Sequence, residues 1–162
     1  MSYPKMLAIL LFIVSPFLFA GGCNLFEDEQ VVDTTGTIFG SWELVEIQYD
    51  NGETITPQAD EQYWFELLED SVFSEGSYHY SLRGQNNCNT CFGYFDFDKK
   101  NQNINISFIC NRTICGISSR FSLTVATSYK YSFHNDLFIL FFNSPTNGRG
   151  TLKLKNTINP NK

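Results

Sequence analysis

The segment Cys91–Cys110, CFGYFDFDKKNQNINISFIC, leaves the chain few ways to fold. Apolar and polar residues alternate through both halves around a polar KKNQ centre, the pattern of a half-buried β-strand that turns back on itself. If Lys99–Gln102 forms the loop, Asp98 pairs with Asn103. Counting back, Phe97 faces Ile104, Phe95 faces Ile106, Gly93 faces Phe108 and Cys91 faces Cys110. The intervening pairs, Asp96 with Asn105 and Tyr94 with Ser107, suit water. A one-residue slip would turn the apolar set to solvent, so a single register is predicted, and it sets two cysteines opposite each other on the buried face.

Cys88 and Cys115 lie just beyond the mouth of this hairpin and can close a second, nested bridge. Two other chemistries use such spacings. A dithiol redox centre needs its C-x-x-C at a helix N-terminus, where the dipole lowers the thiol pKa. Here the motif runs into the strand-like FGYFDFD. Cys-x2-Cys-x18-Cys-x4-Cys is near a four-cysteine zinc spacing, but zinc needs reduced thiolates. The compartment therefore decides, and the N-terminus indicates it. After Lys5 comes MLAILLFIVSPFLFAGG, an apolar run of about 15 residues interrupted by Pro16, which is signal-peptide length and short for a membrane span. Ala20, Gly21 and Gly22 lead into Cys23 as in a bacterial lipoprotein box, which predicts that Cys23 is acylated. An ordinary cleaved leader with a free Cys23 is the alternative. Five cysteines are awkward in an exported chain; acylating Cys23 leaves four, an even set for two disulfides. No metal and no cofactor are expected.

The predicted organisation is a lipoprotein signal peptide at 1–22, a flexible acidic tether at 23–37 and one domain at 38–157. The tether is polar, with the acidic cluster Glu27, Asp28 and Glu29. The domain reads as short strands separated by turns: IFGSWELVEIQY, with Trp42, Leu44 and Glu46 on one face; QYWFELLE; SYHYSLRG; the cysteine hairpin; YKYSFHNDLFILFFN around Asn135-Asp136; and TLKLK. One helix is expected at Ser118–Thr127, with Ile117, Phe121 and Val125 on one face and Ser118 able to cap it. Every Lys and Arg except Lys5 stands at or after Arg83, whereas 14 of the 17 acidic residues precede it. Either the two halves pack together and neutralise each other, or the second presents a basic face. A net charge of −6 disfavours nucleic acid as a partner. The many aromatics read as core and cross-strand packing.

No catalytic constellation is visible. His79, between Tyr78 and Tyr80, and His134, beside a turn, read as surface histidines. DFDKKNQN lacks the glycine and final glutamate of a calcium loop.

GSWELVEI, CNTCFGYF, NRTIC, ATSYKYSFHNDLFIL and the final GTLKL together resemble the META domain family (HslJ-like), over about 38–155. Cys88-Asn89, Gly93 and Cys115 correspond to its most recognisable features, while Cys91 and Cys110 are an additional pair. The resemblance implies an α+β, mostly β fold: strongly curved antiparallel strands forming a partial barrel, with one short helix. It singles out Cys88 and Cys115 for the second bridge and carries over no catalytic residues. The expected protein is a non-catalytic lipoprotein of the bacterial cell envelope, held at the outer membrane by its lipid, facing periplasm or surface, and acting by binding or stress maintenance on an unknown envelope protein or small ligand. The alternative is a lipocalin-like carrier of a small apolar ligand, since Gly40-Ser41-Trp42 also opens that kind of barrel.

Overall fold

A computed structural model describes residues 36–111 and 116–157. The cysteine hairpin forms in the expected register. Strands β5 (Asn89–Asp98) and β6 (Asn103–Cys110) pair Asp98 with Asn103, Phe97 with Ile104, Phe95 with Ile106, Gly93 with Phe108 and Cys91 with Cys110. The Asn111 N–H donates to the Thr90 carbonyl, so Cys91 and Cys110 occupy a non-hydrogen-bonded position, where side chains approach most closely. They are joined by a disulfide, with their Cα atoms 4.1 Å apart. Cys88 is also disulfide-bonded. Cys115, its expected partner, and Cys23 lie outside the described residues.

The other strands are β1 (Gly40–Tyr49), β2 (Thr54–Ile55), β3 (Tyr63–Ser74), β4 (Ser77–Asn86), β7 (Ser128–His134), β8 (Leu137–Ser144) and β9 (Gly148–Asn156). Each pairs antiparallel with its neighbour in the order β2-β1-β3-β4-β5-β6-β7-β8-β9, and β1 also pairs with β9. The sheet thus closes on itself as an eight-stranded up-and-down barrel, with β2 added alongside β1 where β3 departs. Closure removes the sheet edges that a partial barrel would leave exposed.

Period-2 alternation sends one side chain in two to the interior. Phe138, Leu140 and Phe142 of β8, Leu152 and Leu154 of β9, and Ile104, Ile106 and Phe108 of β6 are all buried. In β1, Trp42 and Leu44 point inward as expected, but Glu46 does not. A bulge between Leu44 and Glu46 inserts one residue, so Ile47 and Tyr49 take the interior positions and Glu46 turns out to Lys153 at 2.6 Å.

Helix α1 (Ser118–Ala126) connects β6 to β7. Those two strands share a single bridged pair, Asn103 with Lys130, and the helix packs at the end of the barrel where they diverge. Phe121 and Val125 are fully buried. The Phe121 ring meets Tyr63, Phe65 and Phe108 at 5.4, 6.4 and 6.2 Å, stoppering that end. Ile117, not Ser118, occupies the N-cap, and no side chain caps it. The Thr and Ser hydroxyls that make this a poor helix sequence bond back to the helix carbonyls: Ser122 to Ser118, Thr124 to Phe121, Thr127 to Leu123.

The charge asymmetry resolves into pairs between the two halves. Glu43–Lys155 and Glu46–Lys153 cross the β1–β9 closure, Glu66–Arg83 crosses β3–β4, and Glu53–Arg120 ties the loop after β1 to the helix. Each exposed pair contributes roughly 0.2–1 kcal/mol.

Candidate functional site

The barrel has two unlike ends. Beneath α1, the C-N motif of CNTC is structural. Asn86 and Asn89 are buried at 3% and 2% exposure. Asn89 donates to the Asn86 side-chain carbonyl at 2.7 Å, and Asn86 donates to the Ser118 carbonyl and the Ser122 hydroxyl. This polar chain anchors the helix to the β4–β5 turn.

At the opposite rim lie the β3–β4, β5–β6 and β7–β8 turns together with the incoming segment Gly36–Phe39. Ile38 is buried, and its carbonyl accepts the Trp42 indole N–H at 2.8 Å. The Phe39 ring closes on Tyr80 at 5.2 Å and on Phe97 at 5.6 Å. Between this segment and the barrel wall is a cavity of about 210 Å³, lined by residues 36–39 and by Phe97, Lys99, Gln102, Tyr131 and Phe133. Tyr131 is buried, and burial raises its phenol pKa above the ordinary 10.0, with the nearby Asp98 charge adding to the rise, so the hydroxyl stays neutral. The Asp98 carboxylate is itself taken up by the turn, accepting from the Asn101 side chain and from the Lys100 and Asn101 N–H groups, which hold its pKa below the ordinary value. The barrel axis beyond the cavity is filled by rings: Trp42 stands 4.8 Å from Phe138, and Phe133 stands 5.2 Å from Phe138.

His79 is not the plain surface residue expected. Its side chain is 13% exposed and its Nδ1 lies 2.6 Å from Asp96 Oδ2. Its Nε2 lies 2.8 Å from Ser77 Oγ and 3.2 Å from the Ser74 carbonyl, and its ring packs on Tyr94 at 4.7 Å. The register explains the meeting. The β4–β5 hairpin turns on Asn87-Cys88, which sets His79 opposite Asp96 on the outer face. Ser, His and Asp are in the order of a hydrolytic triad. The group nevertheless straddles an exposed two-residue turn, and neither Ser77 nor His79 lines the rim cavity. A hydrolase also needs a reacting-atom position within reach of oxyanion donors. The same contacts clip the β3–β4 turn to β5. His134 is exposed beside its turn. Among the described residues no group of three or more His, Cys, Asp or Glu side chains is placed to hold a metal ion, and no helix is long and apolar enough to cross a membrane.

No family model matches the chain, and no curated protein matches it. Among solved structures it is similar to a DUF4847 family protein from Bacteroides vulgatus ATCC 8482, with a TM-score of 0.53 and 14% sequence identity, over 73% of this chain and 92% of that chain. The likeness is one of fold alone.

Proposed function

We propose that this chain is a lipid-anchored cell-envelope protein with a META-like domain, acting by binding rather than catalysis, and that the rim cavity is its binding seat. The observation that carries the reading is the position of the cavity. The barrel is packed with side chains along its axis and stoppered by Phe121 at one end, and the rim cavity is formed against the segment Gly36–Phe39 that leads into β1. A lipid on Cys23 would be joined through the chain to Gly36–Phe39, the segment that lines the cavity. Diacylation with an amide-linked third chain exceeds the two signals needed for stable membrane attachment. Cys91 is joined to Cys110 and Cys88 is in a disulfide; with Cys115 as the partner of Cys88, Cys23 is left for the lipid.

The lipocalin-like carrier is the neighbouring reading, favoured by the up-and-down closure. A carrier of large apolar ligands is disfavoured by the ring-filled interior, so a small ligand at the rim unites the two readings. Cell fractionation of Cys23→Ser tests the anchor: the variant is expected to leave the membrane fraction, and sedimentation with membranes at high salt would place the anchor elsewhere. Native mass spectrometry of the gently purified protein tests the seat, with a retained small molecule as the expected result.

A further inference from the structure

The rim cavity contains two kinds of surface that together specify a ligand. Its walls are aromatic: Phe39, Phe97, Phe133 and Tyr131. Its mouth carries Lys99 and Gln102, and neither of these side chains has an ion-pair or hydrogen-bond partner among the described residues. Among the described residues no Asp or Glu lines the cavity; the Asp98 carboxylate, whose charge reaches Tyr131, takes its hydrogen bonds from the β5–β6 loop. We propose that the cavity takes a small apolar monocarboxylate, an aryl-substituted or short-chain acid, with the apolar body among the rings and the carboxylate held by the Lys99 ammonium and the Gln102 amide N–H. This rests on the binding reading above and names the ligand class for the same seat.

The chemistry follows from the donor set. Lys offers three charged N–H donors and no acceptor, and the Gln amide adds two donors beside it. A carboxylate is the small group whose acceptors match both, and a charged partner shortens and strengthens the bond. A phosphate would suit the cation but not the four rings and Ile38 that line the rest of the cavity. A volume of about 210 Å³ suits an occupant of a single ring or a short chain. Because residues 36–39 form one side of the seat, a ligand would also fasten the incoming segment to the β5–β6 turn.

The test uses the mature full-length protein in lipid nanodiscs, with phenylacetate and its neutral isostere phenylacetamide as probes in saturation-transfer NMR. Phenylacetate is expected to bind about tenfold more tightly than the amide, with a preference that shrinks as salt rises. Lys99 is exposed, so Lys99→Gln leaves the fold intact, and it should erase that preference. The amide binding as tightly as the acid, a preference that survives Lys99→Gln, or no binding of either probe at millimolar concentration would each overturn the assignment. The two levels of the reading separate cleanly: a neutral apolar molecule retained through purification, with phenylacetate excluded, sinks the carboxylate and keeps the seat. An empty protein that binds nothing sinks both.

Discussion

Asn89 donates its side-chain amide to the Oδ1 of Asn86 at 2.7 Å, and through Asn86 the β4–β5 turn holds the first turn of helix α1. Both amides are buried, so truncation leaves polar partners without water to replace what is lost. Asn86→Ala should destabilise the domain by about 2–3 kcal/mol. Amide exchange should show α1 losing protection before the strands do; uniform loss across the barrel would show that the network does not serve the helix in particular.

Cys91 and Cys110 enclose a separation of 19 residues. Loop-closure entropy for a loop of that size is about 3 kcal/mol, reduced where the hairpin already restrains the unfolded chain. The double variant Cys91→Ala/Cys110→Ala should fold to the same barrel with Tm lower by roughly 10 °C. Calorimetry with a circular dichroism check of the fold measures this. An unchanged Tm would mean that the ladder alone holds the register.

Burial raises the pKa values of Tyr49, Tyr63 and Tyr131 above the ordinary 10.0. Above that pH the unfolded chain releases phenolic protons that the folded chain retains. The folded state then binds more protons, and stability falls as pH rises; below about pH 10 the contribution is complete. Absorbance at 295 nm should show these phenols ionising together with alkaline unfolding. Tyr49 adds a separate expectation, because its hydroxyl is buried with no hydrogen-bond partner among the described residues. Tyr49→Phe should be neutral or stabilising by up to about 1 kcal/mol.

Ser77 should not react with a fluorophosphonate probe, since it stands on an exposed two-residue turn and does not line the rim cavity. His79→Ala should instead loosen the β3–β4 turn, read as faster amide exchange at Glu75 and Gly76. Stoichiometric labelling of Ser77 that is lost in Asp96→Asn would turn the clip into a nucleophile.

Local regularity made much of this legible in advance. The β5–β6 register follows from the two-residue period and a polar loop, because both operate within one continuous segment. The same counting on the Asn87-Cys88 turn, where Asn87 has φ 61°, would bring His79 opposite Asp96; that signal lies in the turn, not in the histidine's neighbours. Glu46 shows the limit. A bulge reverses the inside and outside positions after Leu44, and alternation alone does not mark where one residue is inserted.

The amino-acid sequence by itself determined eight of the nine described strands, though not the extension of β3 to Ser74, together with the helix, the opposition of Cys91 to Cys110 and the charge asymmetry, because each depends on residues near one another along the chain or on simple composition. Only the tertiary structure decided that β1 closes on β9, that Glu43 and Glu46 of the acidic half meet Lys155 and Lys153 of the basic half across that closure, and that residues 36–39, Phe97, Lys99, Gln102, Tyr131 and Phe133 meet around one cavity. The physical reason is that a strand's pattern states which face it buries but not which strand lies beside it. Pairing partners far apart in the chain are selected by how the whole set of buried rings packs, and the rim cavity is the space which that packing leaves unfilled.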